Sequence, residues 1–168
     1  MMMKRVLIIG CPGSGKSTFA RSLQKITDLP LCYLDMLFWN ADKTTVSKEV
    51  FDLRLDEVLK KDEWIIDGNF SRTMERRLER CDTVFFLDYD VQVCVDGITN
   101  RVGTVRPDMP WIENEVDGDF LQFVKDFKTN RTGQIYEMLD KFPQVKKIVF
   151  KNRRESEEFL QKLTEVKK

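Results

Sequence analysis

A glycine-rich segment near the N-terminus holds the residue types that bind phosphate groups. Residues 10–17 read Gly-Cys-Pro-Gly-Ser-Gly-Lys-Ser, which fits the pattern G-x-x-x-x-G-K-[ST]. The apolar run 6–9 comes directly before the segment, and a helical pattern begins at Thr18. Glycines let such a loop turn its backbone N–H groups inward, and the N-terminus of the next helix adds partial positive charge. The segment therefore predicts a nucleoside triphosphate site.

Individual residues of this loop have distinct expected roles. Lys16 has the length to reach the β- and γ-phosphates, and the hydroxyl of Ser17 is a ligand for Mg²⁺. Cys11 lies inside the loop, where we interpret it as a plain small residue. The predicted nucleotide-binding residues are Gly10, Cys11, Pro12, Gly13, Ser14, Gly15, Lys16, Ser17 and Thr18.

An Asp-Gly pair follows the third apolar run of the chain. Asp67 stands where a carboxylate completes a Mg²⁺ shell, so Ser17 and Asp67 form the predicted metal site. Arg72 follows shortly after, and its guanidinium can fork onto a phosphate of the nucleotide or of an acceptor. The other charges of this stretch alternate in sign and predict a solvated helix face: Glu75, Arg76, Arg77, Glu79 and Arg80.

A second acid, Asp35, follows the second apolar run. It either takes a hydrogen bond from a substrate hydroxyl, holds a Mg²⁺-bound water or caps a turn, and the sequence leaves these alternatives open. The apolar side chains that follow either floor a substrate pocket or belong to the core: Leu37, Phe38 and Trp39.

A stretch rich in glycine and proline carries the last candidate residues. Arg101 and Arg106 lie within residues 101–118, which we interpret as a lid that brings positive charge to a transferring phosphoryl group. Arg131 is expected near the same site. Asp90 precedes a helical pattern and is expected to cap that helix.

Alternating strands and helices are expected to position these residues. Short apolar runs typical of buried parallel strands occur at 6–9, 31–34, 64–66, 84–87 and 148–150. Helical patterns are found at about 16–26, 47–60, 72–80, 91–98, 118–142 and 155–166. This alternation implies an α/β fold with crossover connections. The chain is thus predicted to be a single domain over 1–168 with a three-layer P-loop NTPase fold, a five-stranded parallel sheet with helices on both faces.

The composition disfavours several classes of protein. The 168 residues have a formal net charge of zero, so direct binding to DNA, which calls for a basic surplus, is not expected. The chain has no histidine, and its four cysteines form no C-x-x-C pair, which disfavours zinc sites and histidine-based catalysis. Unpatterned cysteines predict a reduced, cytoplasmic protein, and no apolar run has the length of a membrane span or a signal sequence.

Three further segments resemble one family. They are 34–40 (Leu-Asp-Met-Leu-Phe-Trp-Asn), 64–72 (Trp-Ile-Ile-Asp-Gly-Asn-Phe-Ser-Arg) and 106–111 (Arg-Pro-Asp-Met-Pro-Trp). They resemble the DNA topology modulation proteins (FlaR-related), within the adenylate kinase-like nucleotide kinases, and the resemblance covers the chain through Phe150. It implies binding of Mg²⁺-ATP and transfer of the γ-phosphoryl group to a small acceptor. The family name implies an influence on DNA supercoiling.

The resemblance also implies residue roles. The loop 10–18 would hold the phosphates, and Asp67 would orient Mg²⁺-bound water. The transferring charge would be neutralised by Arg72, Arg101 and Arg106. The chain departs from the nucleotide kinases because Arg72 comes five residues after Asp67 rather than four. It also departs from other members of the family, which often have His where this chain has Tyr33 and Pro where it has Asp90. The acceptor of adenylate kinase is therefore not carried over.

Two function hypotheses follow. The first is a phosphotransferase, a kinase that moves the γ-phosphoryl group of Mg²⁺-ATP to a nucleoside monophosphate or a small hydroxyl-bearing metabolite. Its predicted catalytic residues are Lys16, Asp35, Arg72, Arg101 and Arg106. The alternative is an ATP-dependent regulatory protein that modulates DNA topology, directly or through a partner. A GTPase is disfavoured because the chain lacks an Asn-Lys-x-Asp segment, and a dinucleotide site because the loop continues into Lys-Ser-Thr.

Overall fold

Five short strands form one parallel sheet in the computed structural model, which describes residues 3–168. The strands are β1 (Arg5–Gly10), β2 (Leu31–Tyr33), β3 (Trp64–Asp67), β4 (Thr83–Leu87) and β5 (Lys146–Phe150). Their spatial order is β2-β3-β1-β4-β5, and each neighbouring pair is parallel. The predicted five-stranded parallel sheet is confirmed.

Helices connect the strands and cover the sheet. Those of the described residues are α1 (Lys16–Thr27), α2 (Leu34–Phe38), α3 (Lys48–Leu59), α4 (Ser71–Arg80), α5 (Val91–Asn100), α6 (Gly118–Phe127), α7 (Gly133–Asp140) and α8 (Arg153–Lys167). The sequence pattern predicts one helix over 118–142, whereas the π-helical turn Lys128–Thr132 separates α6 from α7. The short helix α2 has no period that the sequence could reveal, because it spans little more than one turn.

The sheet is buried on both faces, which explains why its strands are continuous apolar runs. Side chains of β1 point alternately to the two faces, so Val6 and Ile8 belong to one hydrophobic core while Leu7 and Ile9 belong to the other. Residues of α1, α5, α6 and α8 complete the first core. Residues of α3, α4 and α7 complete the second. The rigid centre of the molecule is therefore β1, the strand that carries the phosphate loop.

Polar side chains cap several of the helices. The caps that accept a backbone N–H are Ser47 for α3, Asp117 for α6 and Asn152 for α8. Asp90 flanks the N-terminus of α5, but its side chain accepts no hydrogen bond from that helix. The predicted side-chain cap is wrong, because the carboxylate of Asp90 is exposed and turns toward Lys128, whose Nζ lies 3.9 Å away.

The carboxyl ends of the parallel strands meet at one edge of the sheet, which is where ligands bind in folds of this type. The phosphate loop follows β1 at the centre of that edge, with the end of β3 on one side and the end of β4 on the other. Among residues 3–168, no helix combines the length and the apolar character needed to cross a membrane.

Candidate functional site

One large cavity lies at the carboxyl-terminal edge of the sheet. Its volume is about 1120 Å³, and it is lined by the phosphate loop, α2, the start of α4, residues 101–118 and the helices α6 to α8. The predicted site residues that border it outside the loop are Asp35, Asp67, Arg101, Arg106 and Arg131. The structure thus brings the loop, both strand-end acids and the two arginines of residues 101–118 to one place.

The phosphate loop is folded tightly between β1 and α1. The N–H of Ser14 donates to the carbonyl of Cys11 at 3.1 Å, and Lys16 Nζ donates to the same carbonyl at 3.3 Å. Gly13 has a positive φ of 84°, and a side chain at this position would collide with the carbonyl of Cys94 on α5. The backbone angle and the close helix therefore both require glycine here.

A short hydrogen bond joins the phosphate loop to β3. Ser17 Oγ donates to Asp67 Oδ2 at 2.6 Å. The other oxygen of Asp67, Oδ1, is buried and has no hydrogen-bond partner among the described residues. Burial raises the pKa of Asp67, although Lys16 and the hydrogen bond from Ser17 act in the opposite direction. A buried carboxylate oxygen without a partner, next to a serine hydroxyl, fits a Mg²⁺ ion with its water shell.

Asn69 fixes the phosphate loop against the end of β3. Its Nδ2 donates to the carbonyl of Gly10 at 2.7 Å, and its Oδ1 accepts the N–H of Gly10 at 3.0 Å. Both backbone groups of the first loop residue are thereby satisfied. The sequence signal for this role is the position of Asn69 directly after the Asp-Gly pair, and it is too general to identify the contact.

Arg77 lies beneath this turn rather than on the solvated face expected for its helix. Its guanidinium is fully buried and donates to the carbonyls of Gly68, Asn69 and Phe70 and to the hydroxyl of Thr73. Burial lowers the pKa of Arg77 to about 9, so the group is charged at neutral pH. The expectation of a solvated face is wrong for this residue, because the turn before α4 offers it a ring of acceptor oxygens.

Asp35 lies in the first turn of α2 and borders the cavity. Tyr33 holds the flanking position of α2, so Asp35 is not its N-cap. Burial raises the pKa of Asp35 to about 6, and the nearby charge of Asp67 acts in the same direction. A carboxylate with a pKa near neutrality is suited to accept a proton at physiological pH.

Two tryptophans form one wall of the cavity. Trp39 follows α2, Trp111 belongs to residues 101–118, and their ring centroids lie 4.9 Å apart. Leu37 and Phe38 pack instead against the core. Trp39 therefore lines the cavity, as the first alternative for this stretch predicts, whereas Leu37 and Phe38 belong to the core, as the second predicts.

Carboxylates hold Arg101 and Arg106 in place. Arg106 donates through Nε and Nη2 to the two oxygens of Asp108, at 3.2 and 2.6 Å, and through Nη1 to Glu113 at 2.5 Å. Arg101 lies 3.7 Å from the same oxygen of Glu113, and its guanidinium sits over the ring of Phe120. Burial acts to raise the pKa of Asp108, but the hydrogen bond and charge of Arg106 outweigh it, so that this pKa is lowered.

Arg72 is the predicted catalytic residue that the structure does not bring to the cavity. Its guanidinium makes a bidentate pair with Asp52 on α3, with N–O distances of 2.7 and 3.2 Å. Ser71 and Met74 are the residues of α4 that border the cavity. Because they share one side of the helix, Arg72 points away from the cavity and toward α3.

Further cations border the cavity from several elements. Arg131 lies on the π-helical turn, with its guanidinium 5.5 Å from the ring centre of Phe123. Arg153 begins α8, and its guanidinium lies beside Gly15 of the phosphate loop. Lys43 lies in the turn between α2 and α3, with a positive φ of 70°. Neither Arg153 nor Lys43 belongs to a motif, and the sequence gives no signal for their roles.

Comparison with known proteins found kinases. No protein-family model matches the chain. Over an alignment of 91 residues, this chain is 32% identical to the adenylate kinase of Thermotoga petrophila. The alignment covers 52% of this chain and 40% of that enzyme. The adenylate kinase of Thermotoga neapolitana is 31% identical over 91 residues, with the same coverage. The chain therefore spans about two fifths of the length of the curated relatives it matches.

Solved structures resemble the whole chain. A shikimate kinase from Acinetobacter baumannii in complex with shikimate aligns with a TM-score of 0.64 and 14% identity. The alignment covers 98% of this chain and 93% of the shikimate kinase. A shikimate kinase from Bacteroides thetaiotaomicron has a TM-score of 0.58 and 19% identity, over 98% of both chains. A gluconokinase from Sinorhizobium meliloti 1021 has a TM-score of 0.55 and 16% identity, over 97% of this chain and 94% of that one. This chain therefore has the three-layer α/β fold of the P-loop kinases.

Proposed function

We propose that this chain transfers the γ-phosphoryl group of Mg²⁺-ATP to a small-molecule acceptor. The observation that carries the proposal is the convergence of a phosphate loop, the Ser17–Asp67 pair, the carboxylate of Asp35 and the lid arginine Arg106 on one cavity. Phosphoryl transfer needs positioned reactants and neutralised charge more than it needs covalent catalysis. The residues at this cavity supply both.

The loop and the lid provide the positive charge. Lys16 now donates to a loop carbonyl, and a phosphate oxygen, being charged, is the stronger acceptor for its ammonium. Arg106 approaches the cavity from the lid, where Asp108 and Glu113 fix the orientation of its guanidinium. A preorganised cation of this kind stabilises charge that develops on the transferring group.

Ser17 and Asp67 are the residues that would hold Mg²⁺. When bound, the ion would neutralise charge on the phosphates of the nucleotide. The hydroxyl of Ser17 would supply one oxygen ligand, and Oδ1 of Asp67, which has no partner among the described residues, would accept a hydrogen bond from a water bound to the ion.

The comparisons support a kinase of this general kind, since the relatives and the structural neighbours are kinases. The resemblance of three segments to the DNA topology modulation proteins stays a prediction. Among residues 3–168, no contact favours a regulatory role over transfer. We also propose that the chain acts in the cytoplasm, in keeping with its free cysteines.

The test is acceptor-dependent formation of ADP from Mg²⁺-ATP. Purified chain is assayed with nucleoside monophosphates, nucleosides and small hydroxyl compounds, with the Lys16→Ala variant as control. We expect at least one acceptor to raise ADP formation in the wild type and none to do so in the variant, whose circular dichroism should match the wild type. Failure to bind Mg²⁺-ATP, or equal turnover in the variant, would overturn the proposal.

A further inference from the structure

The side of the cavity nearest β2 and β3 differs in character from the side nearest β5. We name it the acceptor half and define it by Asp35, Trp39, Lys43, Phe70 and Trp111, all of which border the cavity. The strand order places it across the phosphate loop from α8, which follows β5. A nucleotide that extends from the loop toward α8 leaves the acceptor half for the second substrate.

The acceptor half is walled by aromatic rings. Trp39 and Trp111 meet edge to face at an interplanar angle of 82°, which joins the segment after α2 to the lid. Trp39 also contacts Phe38, at a centroid distance of 5.3 Å, and its backbone bridges to Thr45. These contacts hold the indoles beside the cavity, where aromatic side chains pack well against the flat face of a ring.

Charge in the acceptor half is arranged for hydroxyl groups rather than for a phosphate. A phosphate ester carries a charge of about −1.5 to −2 at neutral pH and is usually met by forked guanidinium groups. The guanidinium of Arg72 is paired with Asp52, and Arg76 with Asp56, away from the cavity. Lys43 is therefore the cation of α2, α3, α4 and their connections that borders the cavity.

Three carboxylates near the cavity also disfavour a phosphate in the acceptor half. Arg106 is held by Asp108 and Glu113, and these two carboxylates add negative charge beside the cavity. Asp35 adds negative charge to the acceptor half. This charge repels a phosphate, and the carboxylate that carries it is able to accept the proton of a hydroxyl. Lys43 forms no ion pair with any residue of 3–168 and is free to donate a hydrogen bond to a second oxygen of the acceptor.

We propose, building on the proposed function, that the acceptor is a hydroxyl-bearing ring compound without a phosphate group. Its ring packs on Trp39 and Trp111, and one hydroxyl lies at Asp35. The hydroxyl oxygen forms a bond to the γ-phosphorus while the bond from that phosphorus to the β,γ-bridging oxygen breaks. ADP leaves with the electron pair, and Asp35 takes the hydroxyl proton. The products are a phosphate ester and ADP.

The test compares matched pairs of acceptors in the same transfer assay. Each nucleoside is paired with its 5′-monophosphate, and each pyranose sugar or cyclic polyol with its monophosphate, so that the aromatic and saturated rings are distinguished. We expect the unphosphorylated member of at least one pair to have a kcat/KM about tenfold or more above its partner, because a buried charge without a partner is costly. Preference for the phosphorylated members, or equal use of acyclic alcohols, would overturn the inference.

Variants test the aromatic wall directly. Trp39→Ala and Trp111→Ala should each raise the KM for the acceptor by about tenfold, and Trp39→Phe and Trp111→Phe should recover most of that loss, because phenylalanine restores a flat ring for the acceptor to pack against. Val105→Ala is the matched lid control, because Val105 is 82% exposed and does not border the cavity. An unchanged acceptor KM in both alanine variants would contradict the proposed wall.

A binding measurement separates this inference from the proposed function. Intrinsic fluorescence reports on Trp39 and Trp111, while Trp64 is 1% exposed in the core and gives a constant background. Neutral ring compounds should change the fluorescence even without ATP. If Mg²⁺-ATP binds and is turned over with dependence on Lys16, but no ring compound is bound or phosphorylated, the inference fails and the proposed function stands. If Mg²⁺-ATP itself does not bind, both fail.

Discussion

Ser17 Oγ and Asp67 Oδ2 lie 2.6 Å apart, and this hydrogen bond ties the first turn of α1 to the last residue of β3. The two residues are far apart in sequence, but Ser17 follows β1 and Asp67 ends β3, and these two strands are neighbours in the sheet. Parallel pairing places the ends of β1 and β3 side by side, so the hydroxyl that follows the phosphate loop meets a buried carboxylate. The contact is the structural basis of the proposed Mg²⁺ site.

Asp67→Asn is expected to raise the Mg²⁺ concentration needed for activity by about tenfold and to lower kcat by about 10²-fold, because an amide holds the ion's water less well than a carboxylate. The measurement is a Mg²⁺ titration of ADP formation at saturating ATP. Asp82→Asn, which changes a carboxylate at the opposite end of the sheet, is the control. An unaltered Mg²⁺ dependence in Asp67→Asn would remove this carboxylate from the metal site.

Arg106 and Arg72 are both predicted from the sequence to neutralise the transferring charge, but only Arg106 borders the cavity. Arg106→Ala should lower kcat by about 10²–10³-fold, since it removes a preorganised charge at the cavity. Arg72→Ala should change kcat by less than about threefold, because its guanidinium is bound to Asp52 outside the cavity. Steady-state kinetics of both variants decide the matter. A loss in Arg72→Ala equal to that in Arg106→Ala would return Arg72 to the site.

Asp35 links activity to pH. Burial and Asp67 raise its pKa to about 6, so activity that uses its carboxylate should rise as the pH increases through about 6 and then level off. Asp35→Asn should abolish this rise and lower kcat by about 10²-fold or more. The pH profile of kcat in wild type and variant is the measurement, and an unchanged profile in Asp35→Asn would exclude Asp35 as the base.

The same pKa has an opposite consequence for stability. The folded chain holds the Asp35 proton more tightly than the unfolded chain, so this residue's contribution to stability is present below about pH 4 and is lost as the pH rises through about 6. Asp35→Asn should therefore raise the free energy of unfolding at pH 7.5 by roughly 1–3 kcal/mol. Urea denaturation at pH 4.5 and 7.5 tests this, and a variant less stable than wild type at pH 7.5 would contradict it.

Arg77 is expected to be a structural rather than a chemical residue. Arg77→Met should lower the free energy of unfolding by about 3 kcal/mol, because buried carbonyls lose their donors. Arg76→Met, on the same helix, removes only surface ion pairs with Asp52 and Asp56 and should cost less than about 1 kcal/mol. Urea denaturation of both variants provides the comparison. Equal effects of the two substitutions would show that burial of Arg77 is not what stabilises the turn after β3.

The sequence predicts the sheet and the centre of the site because both depend on local signals. Continuous apolar runs identify the strands, and the loop pattern identifies Lys16 and Ser17. Asp35 and Asp67 could be placed at the cavity because each follows a strand, and parallel strands present their ends to one edge.

The remaining features depend on contacts that the sequence does not encode locally. The direction of Arg72 is revealed by its pairing with Asp52 on α3, a contact between residues far apart in sequence. Arg77 alternates with acids like any surface residue, and only the carbonyls of the preceding turn reveal that it is buried. Lys43 and Arg153 reach the cavity from segments that lack a motif, so only the fold brings them there.

The central claim is tested most directly by following the γ-phosphate itself. Wild type and Lys16→Ala are mixed with γ-labelled Mg²⁺-ATP and an acceptor in a single-turnover quench, and the label is traced to its product. The account predicts that the label appears in an acceptor ester with the wild type and remains in ATP with the variant. Label released only as inorganic phosphate, at a rate that neither the acceptor nor Lys16 alters, would contradict it.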